Sequence, residues 1–408
     1  MSSIAIFPCT FTLGEDIIDD LSKHLELELY RDADLVEEAT ARGSINRERL
    51  KNFIYGKTSV FNQFTLEKEK AVNLFKTILA ERLDDSRQYL FHGFLTALIP
   101  PQVTHVLRVL VVDTKQGRID YAVKQGQSQR DAKKRVKADD VSAYTWTDFL
   151  FQKEAYDSSL YDMVIPVEKK SREELLDTIT KRFHTTSVLQ NAESRQAIVD
   201  LRLETEVEKH LLAAGHKVAA HVKNGGVTLV VDKNVLNFSK FQQELTDLIS
   251  PVTGVTTVSV ERSKNFRESI YRRQKFELPS KVLFVDDEKE FVETVSQRLI
   301  SRDVGTYGVY NGADALELVT QDRPDVMVLD LKMPGLHGVE VLRRTKELAP
   351  EVEVIILTGH GTNEDMKQCM ELGAFAYMNK PVDIEELSAT IKAANEKVRQ
   401  RNEEGEPA

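Results

Sequence analysis

From residue 281 onward, apolar residues gather in short unbroken runs, and each run stops on a polar side chain. Lys281 to Asp287 (KVLFVDD) ends on paired acids, and Asp325 to Asp330 (DVMVLD) ends on a carboxylate that a Pro-Gly turn soon follows. Val354 to Gly361 (VIILTGHG) carries Thr358 at its end, and Ala374 to Pro381 (AFAYMNKP) carries Lys380. Such runs predict strands buried on both faces, as in a parallel sheet. Between them apolar residues recur with helical period, at Phe291, Val295 and Leu299 and again at Ala313, Leu316 and Val319. Alternating strands and helices predict a parallel sheet with right-handed crossovers. In such sheets the functional crevice lies at the carboxyl ends of the strands, where Asp286, Asp287, Asp330, Thr358 and Lys380 all fall.

Taken alone, Asp330 reads as an ordinary residue at the start of a loop; its companions change that. Crowded carboxylates repel one another, which raises their pKa values unless a cation neutralises the cluster, and hard oxygen ligands favour Mg²⁺. A carboxylate is an established nucleophile in phosphoryl transfer, Lys380 supplies a fixed positive charge, and Thr358 supplies a hydroxyl donor. Positioning and electrostatics carry most of such a reaction.

On these motifs, Lys281 to about Arg399 resembles the receiver domain of two-component response regulators. The resemblance implies a flavodoxin-like, doubly wound, five-stranded parallel sheet. It makes Asp330 the phosphoacceptor, Asp287 and Asp330 direct Mg²⁺ ligands, Asp286 a ligand through water, and the backbone carbonyl of Lys332 a further ligand. Thr358 and Tyr377 become a switch pair, the hydroxyl turning toward the phosphoryl group and the ring following inward. Lys332 and His360 flank the pocket and are expected to affect the rate of hydrolysis. A sensor histidine kinase or phosphotransfer protein is the implied partner. The expected dimer or partner surface comprises the helix after Thr362, the strand at Ala374 to Asn379 and the helix after Asp383.

Residues 1–187 also alternate strands and helices. Ile4 to Phe7 predicts a short strand, a loop runs to Gly14, and Ile17, Ile18, Leu21 and Leu25 share a helical face. His105 to Asp113 (HVLRVLVVD) and Tyr161 to Val167 (YDMVIPV) predict further strands, the second followed by a capping box at Ser171 to Glu174. Strand, loop, helix is how phosphate cradles are built. With LELELYRDADLVEEA, GFLTALIPPQVTHVLRVLVV and DSSLYDMVIPVEKKSREELLDTI, this part resembles the cytidylate kinase-like family of P-loop nucleoside monophosphate kinases. It departs where phosphate chemistry would sit. FPCTFTLGED has Gly14 as its one glycine, with Glu15 and Asp16 set to repel phosphate. Ser142 precedes Ala143 and Tyr144 where the family tends to carry a lid arginine, and Pro166 stands where an Asn is expected. Without close backbone approach and positive charge, transition-state stabilisation collapses, so the domain reads as a degenerate, inactive kinase fold. Arg130, Lys133, Lys134, Arg135 and Lys137 read first as a solvated helix face and second as an anion site.

Between residues 192 and 262 a helical stretch, Ile198 to Ala214, precedes an alternating segment, Lys217 to Val222. An Asn224-Gly225-Gly226 turn, a strand at Val227 to Val231, a helix at Phe238 to Leu248 and a strand at Gly254 to Val260 follow. This order, with KNGGVTLVV and GVTTVSV, resembles a BON domain, a small α+β module, read here as a protein-contact or structural element. Residues 263–280 read as a basic linker and 401–408 as a disordered tail.

Charge sharpens the division. Residues 281–408 carry 15 Lys plus Arg against 25 Asp plus Glu, so the whole net charge of −10 lies there and the first 280 residues balance at 40 against 40. An acidic domain with a carboxylate pocket suits cations and disfavours nucleic acid, and no helix-turn-helix pattern follows the receiver, so DNA-reading output is not expected. Two cysteines, Cys9 and Cys369, are too few for a disulfide framework and fit a reducing cytosol. No apolar run reaches the roughly 18 residues of a membrane span, and the start lacks the pattern of a secretory leader. The expected protein is cytoplasmic: an Mg²⁺-dependent receiver that alters contacts of the upstream domains. The competing reading is a nucleoside monophosphate kinase gated by that receiver.

Overall fold

Along β1 (Ser3–Phe7) the side chains split by the period of two that a strand imposes. Ile4 and Ile6 enter one apolar cluster, and Ala5 and Phe7 enter the one on the opposite face. In the computed structural model, which describes residues 2–404 except 8, 44, 169, 233–237, 264–280, 301–303 and 360, the chain forms two compact units. The first holds Met1–Thr58 and the chain from Lys68 through the middle segment; the second holds Ser59–Glu67 with the C-terminal part.

In the first unit β1, β2 (Glu28–Arg31), β3 (Tyr89–His92), β4 (Val106–Val112) and β5 (Met163–Pro166) form an all-parallel sheet in the order β2-β3-β1-β4-β5. The helices in chain order are α1 (Leu13–Asp16), α2 (Ile18–His24), α3 (Asp32–Arg42), α4 (Arg47–Tyr55), α5 (Asn62–Thr65, in the second unit), α6 (Glu67–Asp84), α7 (Lys115–Lys124), α8 (Gln129–Phe151) and α9 (Arg172–Phe183). The predicted first helix is therefore two short pieces meeting at Ile17, which is buried with Ile18 and Leu21 beneath the sheet. The Ser171–Glu174 capping box closes both ways, Glu174 N–H donating to Ser171 Oγ and Ser171 N–H to Glu174 Oε2.

The middle segment runs α10 (Ala192–Ala213), β6 (Ala219–Lys223), β7 (Gly226–Val231), α11 (Phe238–Ile249) and β8 (Thr257–Arg262). β6 and β7 form an antiparallel hairpin, and β8 adds parallel to β7. The hairpin turns on Asn224 and Gly225 with φ of 50° and 78°, the left-handed region that Asn and Gly tolerate best. α10 also packs on α6: Asn73 donates to Thr205 O at 2.9 Å, and Lys76 Nζ meets Glu208 Oε1 at 3.0 Å.

In the second unit β9 (Val282–Val285), β10 (Thr306–Val309), β11 (Val326–Leu329), β12 (Glu353–Thr358) and β13 (Ala376–Asn379) form an all-parallel sheet in the order β10-β9-β11-β12-β13. That is a doubly wound arrangement with its order reversing at β9. Leu283, Val285, Met327, Leu329, Val354 and Ile356 pack toward α13 (Gly312–Gln321), α14 (Gly338–Leu348) and α15 (Asn363–Glu371). Val282, Phe284, Val328, Ile355 and Leu357 pack toward α12 (Lys289–Ile300) and α16 (Ile384–Glu404). The first of these clusters contains a residue from far away in sequence, Phe61, which is fully buried. Burying such a ring stabilises by roughly 1.5–3 kcal/mol. The basic linker and the tail fall largely outside the described residues.

Candidate functional site

Parallel strands of equal register bring their last residues to one edge of the sheet, and in the second unit that edge collects the predicted group. Val285 pairs with Leu329, so the residues that follow, Asp286 and Asp330, emerge side by side. Their backbones are fixed by Asp330 N–H donating to Val285 O at 2.9 Å and Asp286 N–H to Val309 O at 3.2 Å. One carboxylate oxygen from each of Asp286, Asp287 and Asp330 lies within 4.8 Å of the others. Asp286 and Asp330 are buried and Asp287 is exposed, so the cluster has two enclosed carboxylates and one open to water.

Lys380 completes the group from the adjoining end of β13. Its Nζ lies 2.6 Å from Asp286 Oδ2 and 3.3 Å from Glu288 Oε1, above the ring of Phe291 at 4.3 Å. Burial works against the ammonium, but the carboxylates of Asp286, Asp330 and Glu288 outweigh it and hold the Lys380 pKa above the ordinary lysine value. Burial pushes the Asp286 carboxyl upward, helped by the charge of Asp330 and opposed by Lys380 and by the Glu288 N–H, which donates to Oδ1 at 3.0 Å. Asp286 Oδ2 and Asp330 Oδ1 are buried oxygens without a well-aligned hydrogen-bond donor. Buried acceptors normally find one. Two such oxygens beside an exposed carboxylate fit a small divalent cation with oxygen preference.

Thr358, fully buried, ends β12, where its carbonyl accepts from Lys380 N–H at 2.9 Å. Tyr377 lies on β13, its hydroxyl buried and without a hydrogen-bond partner. A Cβ added to Gly361 would fall 1.6 Å from that hydroxyl and 3.0 Å from Thr358 Cγ2, so the ring lies inward over a glycine next to Thr358. Burial raises the Tyr377 pKa, with Asp365, Cys369 and Asp330 adding to it. Lys332 follows Asp330 by two residues with its side chain exposed. His360 lies outside the described residues.

Sequence reasoning missed the glycine that shapes this loop. A Cβ on Gly338 would fall 2.2 Å from Asp330 O and 2.6 Å from Leu331 Cα, and Gly338 N–H donates to Leu331 O at 2.9 Å. The start of α14 thus presses backbone to backbone against the phosphoacceptor candidate, which only glycine permits. Pro334-Gly335, with Gly335 at φ 84°, makes the turn between them. The signal was the DLKMPGLHG spacing itself, read for its turn and not for its last residue.

The loop after β1 is built differently. Thr12 Oγ donates inward to Cys9 O at 2.9 Å and caps Gly14 N–H, and the buried Arg118 donates from Nε to Thr10 O at 2.8 Å. Arg118 also pairs with Asp140, which accepts from Tyr156 Oη at 2.9 Å. The loop therefore turns a carbonyl onto a guanidinium of its own domain. Gly14 serves packing, since a Cβ there would lie 2.9 Å from Val111 Cβ. Burial raises the Glu15 pKa, with Asp16 and Asp139 adding repulsion and Arg31 and Arg135 opposing it. Arg130, Lys133, Lys134, Arg135 and Lys137 are all exposed on α8. A separate cleft of about 1620 Å³ in the first unit lies among Leu98, Pro100, Phe149, Tyr161, Gln196 and His221, remote in sequence from the carboxylates of β9 and β11.

Comparison with known proteins agrees with this geometry. Residues 4–169 match the cytidylate kinase-like family, and residues 282–392 match the response regulator receiver domain family. The chain is 36% identical over 112 residues to sporulation initiation phosphotransferase F of Bacillus subtilis (strain 168), covering 28% of this chain and 90% of that protein. Among solved structures, a response regulator receiver domain protein from Clostridium thermocellum is 33% identical, covering 30% of this chain and 98% of that one, with a TM-score of 0.28. The receiver domain of Francisella response regulator 1452 is 27% identical, covering 29% and 98%, with a TM-score of 0.28. Through its C-terminal domain, the chain belongs to the response regulator receiver family.

Proposed function

We propose that this protein is a response regulator that takes a phosphoryl group from a histidine kinase or phosphotransfer protein onto Asp330 and passes the signal to its own upstream domains. The supporting observation is the set of Asp286, Asp287 and Asp330 oxygens within 4.8 Å of one another, with Lys380 fixed 2.6 Å from Asp286. In the transfer, an Asp330 carboxylate oxygen forms the new bond to phosphorus while the bond from phosphorus to the donor nitrogen breaks, and the donor keeps that electron pair. Asp286, Asp287 and Asp330, with the Lys332 carbonyl, would hold Mg²⁺, which supplies charge stabilisation to the phosphoryl oxygens. Lys380 and the Thr358 hydroxyl would meet the same oxygens, and Thr358 and Tyr377 would form the switch pair. We read residues 1–187 as a non-catalytic kinase fold, a reading supported by the Thr10 carbonyl seated on Arg118. Residues 192–262 serve as a BON-like contact module, and the receiver, residues 281–400, acts without DNA in the cytoplasm.

Acetyl phosphate should label the full chain only with Mg²⁺ present, and Asp330→Asn should abolish the label. Labelling that survives that substitution overturns the assignment. Isothermal titration of the whole protein with ATP and CMP tests the upstream reading, because binding of both with turnover would establish an active nucleoside monophosphate kinase.

A further inference from the structure

The receiver unit is completed by nine residues from elsewhere in the chain, Ser59–Glu67, which lie between α4 and α6. Phe61 is fully buried in the apolar cluster shared by Val309, Ala315 and Val319, its ring edge-on to Tyr307 with centroids 6.0 Å apart. Lys281 Nζ lies 5.8 Å from the centre of that ring and 3.6 Å from Glu67 Oε2. Val60 N–H donates to Asp322 Oδ2 at 2.8 Å, and Lys281 holds the other oxygen of that carboxylate at 3.5 Å. Phe64 lies so close to Gly305 that a Cβ there would come within 2.6 Å of Phe64 Cγ. The segment is therefore a strap fitted to the β10 edge by a ring in a slot, a ring on a glycine and a charged clasp.

The strap has a further property. Phe61 belongs to the same packed cluster as Leu329, Leu331 and Met333, which flank Asp330, and Tyr377 packs against that cluster. Packed clusters of this kind shift between discrete arrangements and do not deform smoothly. At one end the strap joins α4 through Gly56, Lys57 and Thr58, and at the other it runs directly into α6 of the kinase-like fold.

We propose that the β10 edge, between Gly305 and α13, is the output surface of this receiver, and that its partner is the Ser59–Glu67 strap of the same chain, gripped differently when Asp330 is phosphorylated. This rests on the reading of Asp330 as phosphoacceptor. The signal then enters the kinase-like fold through α4 and α6 at the strap's two ends.

Hydrogen–deuterium exchange of the full-length protein, with and without beryllofluoride and Mg²⁺, tests the proposal. Peptides covering 59–67 and 304–309 should change exchange rate together by at least about threefold on addition, and not in Asp330→Asn. If 330–338 responds while 59–67 and 304–309 do not, the strap proposal is wrong and the phosphoacceptor reading stands. If nothing responds and acetyl phosphate gives no label, both are wrong. Phe61→Ala should speed exchange at 304–309 several-fold while 282–285 stays protected, and should remove the response to beryllofluoride there. Should that variant fold poorly, Asp322→Ala opens the clasp alone and should give a smaller change of the same sign; an unchanged 59–67 in it counts against the proposal.

Discussion

The Lys380 ammonium lies 2.6 Å from Asp286 Oδ2, with Asp286 almost wholly buried. A buried carboxylate that loses its one cation is strongly destabilised. Yet the same oxygen belongs to the set fitted to a divalent ion, so ammonium and metal compete for it.

Lys380→Met should therefore lower stability in metal-free buffer by about 3–5 kcal/mol, the range for breaking a buried pair. Saturating Mg²⁺ should recover most of that loss. Urea titrations with EDTA and with Mg²⁺ measure both terms. A variant whose stability responds to Mg²⁺ no more than the wild type would show that Lys380 and the metal do not share Asp286.

Gly338→Ala places a methyl group 2.2 Å from Asp330 O. The loop must move, and overpacking of this kind costs roughly 1–3 kcal/mol. Because the contact is with the backbone of Asp330, the proposed phosphoacceptor, labelling by acetyl phosphate should fall at least about tenfold, more than the stability loss explains. Gly335→Ala is the control: a Cβ at Gly335 meets nothing within 4 Å, but its φ is 84°. It should destabilise by about 1 kcal/mol and leave labelling within about twofold. Equal labelling in both variants would remove Gly338 from the site.

β9, β11 and β12 were legible because each is buried on both faces and runs into a polar residue at its end, as Val326 to Asp330 does. β10 was not legible. Its four residues, Thr306 to Val309, include Gly308 and pair on one side only, with β9, so no long apolar run marks it. β2 and β3 were missed in the same way, each four residues long, with exposed positions in β2. The strap was invisible for another reason. Val60, Phe61 and Phe64 read as ordinary core residues of the domain around them, and nothing local in a sequence tells which core a buried ring joins.

Asp32 gives a pH signature to the first unit. Its carboxylate accepts from Phe94 N–H at 2.9 Å, Leu95 N–H at 2.8 Å and Tyr55 Oη at 2.8 Å. Full burial outweighs these bonds and raises its pKa from 3.8 to about 6. Below pH 4 both native and unfolded chains hold the proton. Between about pH 4 and 6 the unfolded chain has released it and the native state has not, so this group's contribution to stability falls as pH rises, by about 3 kcal/mol in all, and is flat above. The stability of the wild type minus that of Asp32→Asn should show this fall in urea titrations at pH 4 and pH 7. A difference independent of pH would rule out the raised value.

Glu353, at the first position of β12, is almost fully buried yet faces three cations. Lys397 Nζ and Arg401 Nη2 approach its Oε1 at 2.9 and 3.0 Å, and Lys346 Nζ lies 4.0 Å from Oε2. Lys397 and Arg401 sit on the last turns of α16, half exposed, so a single loss leaves the other to serve the carboxylate. Lys346 is a poor substitute: burial lowers its pKa, only partly offset by Glu353, and it already donates to Val352 O at 2.7 Å. Lys397→Ala and Arg401→Ala should each cost under about 1 kcal/mol, as half-exposed pairs do. The double variant should cost about 3 kcal/mol, because it strands a buried charge. That excess over the sum is the diagnostic quantity in urea unfolding. Simple additivity would mean that Glu353 is sustained by Lys346 or by water, and that the end of α16 is held by its apolar face alone.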